Sequence, residues 1–146
     1  MKVITYLVAL LFCFNGYDAN SQTDDSRMDR ATFTNVAQMP EYPGCEAILD
    51  PTARKNCAYK SMIQYLSDNI VYPTEAKAAK LEGSVVVSFI VSKEGEITKA
   101  QVVKGFDKAC EAEALRVIQE MPKWVPGAQE GKEVAVSMNL PIRFTL

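Results

Sequence analysis

Four cysteines and no histidine stand among the 146 residues, and that pairing limits the chemistry at once. Without imidazole there is no ordinary general base at neutral pH and no common zinc ligand, so Ser-His and Cys-His catalysis and H-E-x-x-H metal sites are excluded. Cys13 lies in an apolar N-terminal run, which leaves Cys45, Cys57 and Cys110 for the rest of the chain. Cys45 and Cys57 are not spaced as C-x-x-C, which argues against a redox pair or a metal clip. Cys110 falls in the first turn of a helix that Asp107 can cap, and a helix N-terminus lowers a thiol pKa. A thiol enzyme built on Cys110 is therefore set against an unpaired structural thiol, with an intermolecular disulfide as a third reading. No catalytic residue, metal ligand or cofactor is assigned.

The remaining chemistry belongs to the backbone. From Glu133 to Leu146 the chain reads E-V-A-V-S-M-N-L-P-I-R-F-T-L, with Val134, Val136, Met138, Leu140, Ile142, Phe144 and Leu146 at every second position. A period of two predicts a long strand with one face buried. Pro141 inside it has no N–H to give to a ladder, which predicts an edge strand. An edge carries a row of unpaired amides and carbonyls, either to be covered by the fold or used to dock another strand.

A chain of this length supports one domain with one core. Sixteen basic and eighteen acidic residues give a charge of −2 without a long run of either sign, which excludes a nucleic-acid footprint. Met1-Lys2, the apolar run Val3 to Phe14 and the polar residues that follow read as an export signal over residues 1–21, cleaved after Ser21. About a dozen apolar residues fall short of the roughly twenty that span a bilayer. Lipidation at Cys13 and an uncleaved anchor are the alternatives, the first weakened by the bulky Phe12 before the cysteine.

Residues 22–38 are polar and read as a disordered tether. Residues 39–71 form a lead-in and a helix: Asp50 as N-cap and Pro51 at the first helical position open it, and Tyr59, Met62, Ile63, Leu66 and Ile70 give it an apolar core stripe. Pro73 starts a second helix, Thr74 to Leu81. The code then changes to strand, Val85, Val87, Phe89 and Val91 facing one way. Glu94-Gly95 turns into a second strand, Ile97 to Lys104. A helix from Asp107 to Met121 follows, with Ala114, Leu115, Val117, Ile118 and Met121 on its apolar face. A loop, Lys123 to Gly131, leads into the terminal strand. The expected class is α+β: a small antiparallel three-stranded sheet with helices packed on one face.

Tyr72-Pro73, Ala76, Leu81-Glu82-Gly83, the run Val85-x-Val87-x-Phe89-x-Val91, Gly95, Glu113-Ala114, Trp124-x-Pro126-Gly127, Gly131 and Pro141-Ile142-x-Phe144 together resemble the TonB C-terminal domain family over residues 72–146. Met39 to Gly44 resembles the segment that often precedes the domain in its Bacteroidetes-type versions. The resemblance implies a non-enzymatic periplasmic domain that grips an extended segment of a TonB-dependent outer-membrane transporter beside its terminal strand, in energy-dependent transport. On this sequence the implied docking residues are Val134, Ala135, Val136, Ser137, Met138, Asn139 and Leu140. Tyr72 and Pro73 are further candidate contacts, although Tyr72 could equally pack beneath the sheet, and Trp124 reads as core. A full energy transducer of the family has a membrane anchor, which engages inner-membrane motor proteins, and a proline-rich spacer. Here neither is evident, and residues 22–38 reach roughly 60 Å at about 3.5 Å each. The expectation is a free-standing module that binds without driving transport itself. A self-pairing homodimer through the same edge and an envelope-binding module unconnected with transport are the alternatives.

In an oxidising periplasm Cys45 and Cys57, within an insertion relative to the family, are expected to form a disulfide. It would close a loop of about thirteen residues and contribute on the order of 3 kcal/mol.

Overall fold

A computed structural model describes residues 31–146. The expected signal segment and residues 22–30 of the expected tether lie outside the described residues. Eight elements follow one another: β1 (Thr32–Phe33), α1 (Pro51–Asn69), α2 (Thr74–Ala78), β2 (Gly83–Val91), β3 (Ile97–Lys104), α3 (Lys108–Gln119), β4 (Gly127–Gln129) and β5 (Lys132–Phe144). The sheet order is β1-β5-β2-β3, with β4 paired to β5. The class is α+β as expected, but the sheet has five strands, not three, because two short strands join β5.

The centre is the antiparallel pairing of β2 with β5. It runs without interruption from Gly83↔Phe144 to Val91↔Val136. Val85, Val87, Phe89 and Val91 from β2 and Ile142 and Phe144 from β5 are buried together, while Val134 and Val136 pack with Val36 in a second, smaller cluster. α1 adds Met62 and Leu66, α2 adds Ala76, and α3 adds Cys110, Ala114, Val117 and Ile118 to the larger one. By contrast β2 and β3 pair with shifts in register beside Val86/Val87 and Ser88/Ile90. Lys99, at φ 50°, sits in the second irregularity, where an extra residue increases strand twist.

The helix boundaries have local causes. Asp50 accepts a hydrogen bond from Ala53 N and Asp107 accepts one from Cys110 N, so each carboxylate satisfies an otherwise orphaned first-turn amide. α2 stops at Ala78, short of the expected Leu81, because Lys80 enters the left-handed region at φ 52° and Leu81 N donates back to Ala76 O. Beyond α1, Val71 N donates to Glu113 Oε1 and Arg116 Nη2 donates to Asn69 O, tying its end to α3. Arg116, hydrogen-bonded to Glu113, holds that carboxyl below the usual carboxylate range.

Two stretches depart from expectation. Thr32–Phe33 pairs in parallel with Ala135–Val136, and Gln38 bridges Ala128, so residues 32–38 are ordered against β4 and β5 rather than a tether. The expected loop before β5 contains β4, which returns through Glu130 and Gly131, both with positive φ. Two consecutive left-handed residues make the hairpin turn whose twist suits antiparallel strands.

Trp124 is fixed from the β2–β3 turn. Gly95, at φ +86°, accepts from Trp124 N at 2.8 Å, and a Cβ at Gly95 would come within 2.1 Å of Trp124 O. Gly95→Ala is therefore expected to cost about 2–4 kcal/mol, combining left-handed strain with displacement of the Trp124 backbone. Chemical denaturation followed by circular dichroism checks it, and an unchanged midpoint would contradict the contact.

Candidate functional site

The strand β5 is not a free edge along its whole length. Its first residues pair with β4, Val134 with Gly127, and Ala135 and Val136 take β1. Of the seven expected docking residues, Val134, Ala135 and Val136 are thus already against neighbouring strands. Beyond Val136 β5 continues beside β2, and among the described residues no strand pairs with its other side. The uncovered edge begins at Ser137 and passes through Met138, Asn139 and Leu140. The sequence reading missed the cover because β1 has two residues and β4 three, too few for a periodic signal.

Pro141 determines which backbone groups face outward. It pairs with Val86 inside an uninterrupted ladder, and a residue without N–H is accommodated there only if its nitrogen points away from β2. Alternation along the strand then directs the N–H and C=O of Ser137 and Asn139 to the same outer side. Ala135, of the same parity, lies opposite Thr32 of β1.

The buried face of β5 has a gap at the same place. Val134, Val136, Ile142 and Phe144 are buried, whereas Met138 and Leu140 between them are only partly covered. Beneath lies a cavity of about 460 Å³ whose walls include Glu41, Tyr42, Tyr59, Trp124, Met138 and Leu140. The expected core stripe of α1 is corrected accordingly: Met62 and Leu66 are buried, but Tyr59 is 62% and Ile63 43% exposed. α1 leans only part of its apolar face on the sheet, and Ala58 takes a buried position that the spacing did not single out.

The cavity wall is built from the lead-in. Glu41 and Val125 exchange backbone hydrogen bonds of 3.0 and 2.9 Å. The Tyr42 ring stands 5.8 Å from Trp124 and 5.9 Å from Tyr65, and Trp124 packs at 5.7 Å on Phe89. Burial pushes the Tyr42 hydroxyl pKa up, with Tyr65 adding to the shift. Glu41 is only 7% exposed, and its Oε2 accepts from Arg54 Nε at 2.8 Å. Cys45 and Cys57 form the expected disulfide, joining this lead-in to α1.

Tyr72 and Pro73 lie elsewhere. The Tyr72 ring packs edge-on against Phe144 at 5.6 Å, and its hydroxyl donates to Leu81 O. Pro73 is the N-cap of α2. The structure thus brings Tyr72 to the far end of β5 and spends its hydroxyl within the fold. Trp124, 5% exposed, is core as expected but also forms one wall of the cavity.

Cys110 is fully buried, and burial, followed by its hydrogen bond to Asp107 and that carboxylate's charge, raises its pKa to about 11. The expected lowering by the helix N-terminus is overcome by desolvation. Among the described residues no group of three acidic, cysteine or histidine side chains could hold a metal. Nor is any described helix long and apolar enough to cross a membrane.

Fold and site define a small α+β domain organised around a partly open sheet edge. The chain belongs to the family described as Gram-negative bacterial TonB protein C-terminal, which matches residues 68–146. Among solved structures, two of the Helicobacter pylori TonB C-terminal domain are similar. The longer is 27% identical, covering 60% of this chain and 79% of that one at a TM-score of 0.48. The shorter is 26% identical, covering 60% and 91% at 0.47. The Pseudomonas aeruginosa TonB C-terminal domain is 27% identical, covering 52% and 77% at 0.43. No curated protein sequence matches. The family consists of non-enzymatic envelope domains that interact with outer-membrane transporters.

The raised thiol pKa has a consequence for stability. A thiol whose folded pKa lies above its unfolded value of 9.0 contributes stability fully below pH 9 and loses it as pH rises toward 11. Wild type is expected to lose stability relative to Cys110→Ala across that interval, and its native thiol to resist iodoacetamide at pH 7. Paired denaturation curves and alkylation mass shifts check both; rapid native alkylation at pH 7 would contradict the burial.

Proposed function

We propose that this chain is an exported periplasmic interaction module that takes an extended segment of a TonB-dependent outer-membrane transporter as an added strand beside β5, from Ser137 through Leu140. The carrying observation is the absence, among the described residues, of a strand on that side of β5 beyond Val136. Family membership supports the choice of partner, and the outward row at Ser137 and Asn139 supplies the main-chain hydrogen bonds that strand addition needs. Val134 to Val136, part of the same expected edge, act in this reading as the fixed start of the rail. Residues 1–21 direct export, and the Cys45–Cys57 disulfide suits an oxidising compartment. Tyr72 and Pro73 support the far end of β5 rather than the partner.

The experiment is Ser137→Pro. This change removes one outward N–H and should leave the β2 ladder intact, because Ser137 shares the parity of Pro141. Binding of a transporter's periplasmic segment is expected to fall at least tenfold, about 1.4 kcal/mol, with the helical circular dichroism retained. Retained binding in the folded variant would overturn the edge. Met138→Pro, of opposite parity, is expected to unfold the domain. Self-pairing through the same edge would appear instead as a mass that rises with concentration and is abolished by Ser137→Pro.

A further inference from the structure

β1 lies on the side of β5 that a docked segment would use. Val136 pairs both with Val91 of β2 and with Phe33 of β1, so those two strands flank β5 from opposite sides, and β1 stands in line with the open positions from Ser137 onward. Its hold there is small: only Thr32 and Phe33 pair, with Ala135 and Val136. The chain then leaves the edge through exposed bends at Thr34 and Asn35. From Val36 the attachments multiply. Val36 is buried with Val134 and Val136, Ala37 N donates to Gln129 Oε1 at 2.8 Å, and Gln38 and Ala128 exchange backbone hydrogen bonds of 3.0 and 2.8 Å. Thr32 and Phe33 can therefore leave the edge about Thr34 and Asn35 while the residues from Val36 keep their places. Beyond its ladder bonds, β1 gives up only the packing of a partly buried Phe33 against the Val36 cluster.

The two edges of the sheet are guarded in different ways. β3, on the far side, has two shifts in its register, carries Lys99 at φ 50° and ends on Lys104. Irregular pairing and lysines are permanent guards against strand addition. Around Ser137 β5 has neither: its ladder with β2 is unbroken, and the cover beside it is a separate two-residue strand. A guard that can be removed suits an edge that is used. Length points the same way. Ser137 to Leu140 offers four positions, and with Ala135 and Val136 the edge reaches six, against about five to six for an ordinary strand. Resting on the strand-docking reading above, we propose that β1 is an autoinhibitory cover, displaced when an extended segment of another protein adds along β5 from Ala135 to Leu140. Thr32 and Phe33 lie outside the family match at residues 68–146, so the device belongs to this chain's own lead-in.

The probes are two soluble peptides, each a run of alternating threonine and valine between lysine pairs. A run of four residues covers Ser137 to Leu140 alone, and a run of eight reaches back over Ala135 and Val136. Both are titrated into the isotope-labelled protein, and the backbone amide shifts are followed by NMR. With the longer peptide Ser137 and Asn139 are expected to respond and, at the same concentrations, Thr32 and Phe33 to move to the positions of an unfolded chain, with Gln38 unchanged. A cover lowers the apparent affinity by the fraction of molecules whose edge is free. With β1 in place in about nine molecules of ten, Thr32→Pro/Phe33→Pro, which takes both amide donors from β1, is expected to bind the longer peptide about tenfold tighter and the shorter one within about twofold of wild type. Circular dichroism checks that the variant folds; where it does not, the wild-type titration decides alone. If Ser137 and Asn139 respond in wild type while Thr32 and Phe33 keep their shifts, β1 is a permanent strand, so the inhibition is overturned and strand addition stands. Equal affinity of variant and wild type for the longer peptide overturns it in the same way. If neither peptide moves Ser137 or Asn139 in any folded protein, strand addition fails and the cover falls with it.

Discussion

The uninterrupted register between β2 and β5 is the constraint on which the other elements depend. With Gly83 opposite Phe144 and Val91 opposite Val136, the odd residues of β2 and the even residues of β5 meet on one face. A slip of one position would move every one of these side chains to the solvent face and leave the three helices without a surface to bury. β3 tolerates two irregularities in its pairing; β5 shows none against β2. The same register sets the parity of the backbone on the open side, so the core and the edge are two consequences of a single alignment.

Much of this was legible because long elements repeat their signals. The alternation of Val85 to Val91 and of Val134 to Phe144, the Asp50-Pro51 and Asp107 starts, and the Glu94-Gly95 turn each have a local physical cause and appear where expected. What could not be read depended on partners distant in the chain. Thr32–Phe33 is a strand only because Ala135–Val136 lies beside it, and Gly127–Gln129 only because β5 folds back on it. The helix periodicity placed Tyr59 and Ile63 on the α1 stripe but could not tell how far the helix leans on the sheet. The disulfide followed from two cysteines in a suitable setting, whereas the cavity beside β5 required the packed structure. The edge at Ser137 to Leu140 was legible through Pro141; its interruption at Val134 to Val136 was not.

The site combines two structural features with different origins. Backbone amides and carbonyls at Ser137 and Asn139 have no strand partner on the outer side of β5 among the described residues, and groups of this kind take an extended chain in strand addition with little regard for its side chains. The cavity beside Met138 and Leu140 is a second opening in the same stretch of β5, walled in part by the lead-in. Neither depends on a reactive group. The buried Cys110, with its raised pKa and its amide held by Asp107, is a packing residue at the start of α3.

The route by which mechanical load would travel through the lead-in follows from its attachments. Tension on the chain before Thr32 first meets the two-residue parallel pairing with β5, then the bridges at Gln38 and Glu41, whose hydrogen bonds can part in turn. At Cys45 the character of the path changes. The disulfide carries load straight across to Cys57 in α1, so residues 46–56 are bypassed and stay slack. Under such tension the noncovalent contacts before Cys45 would part first, while the covalent link would hold Cys45 to the helix that forms one wall of the cavity.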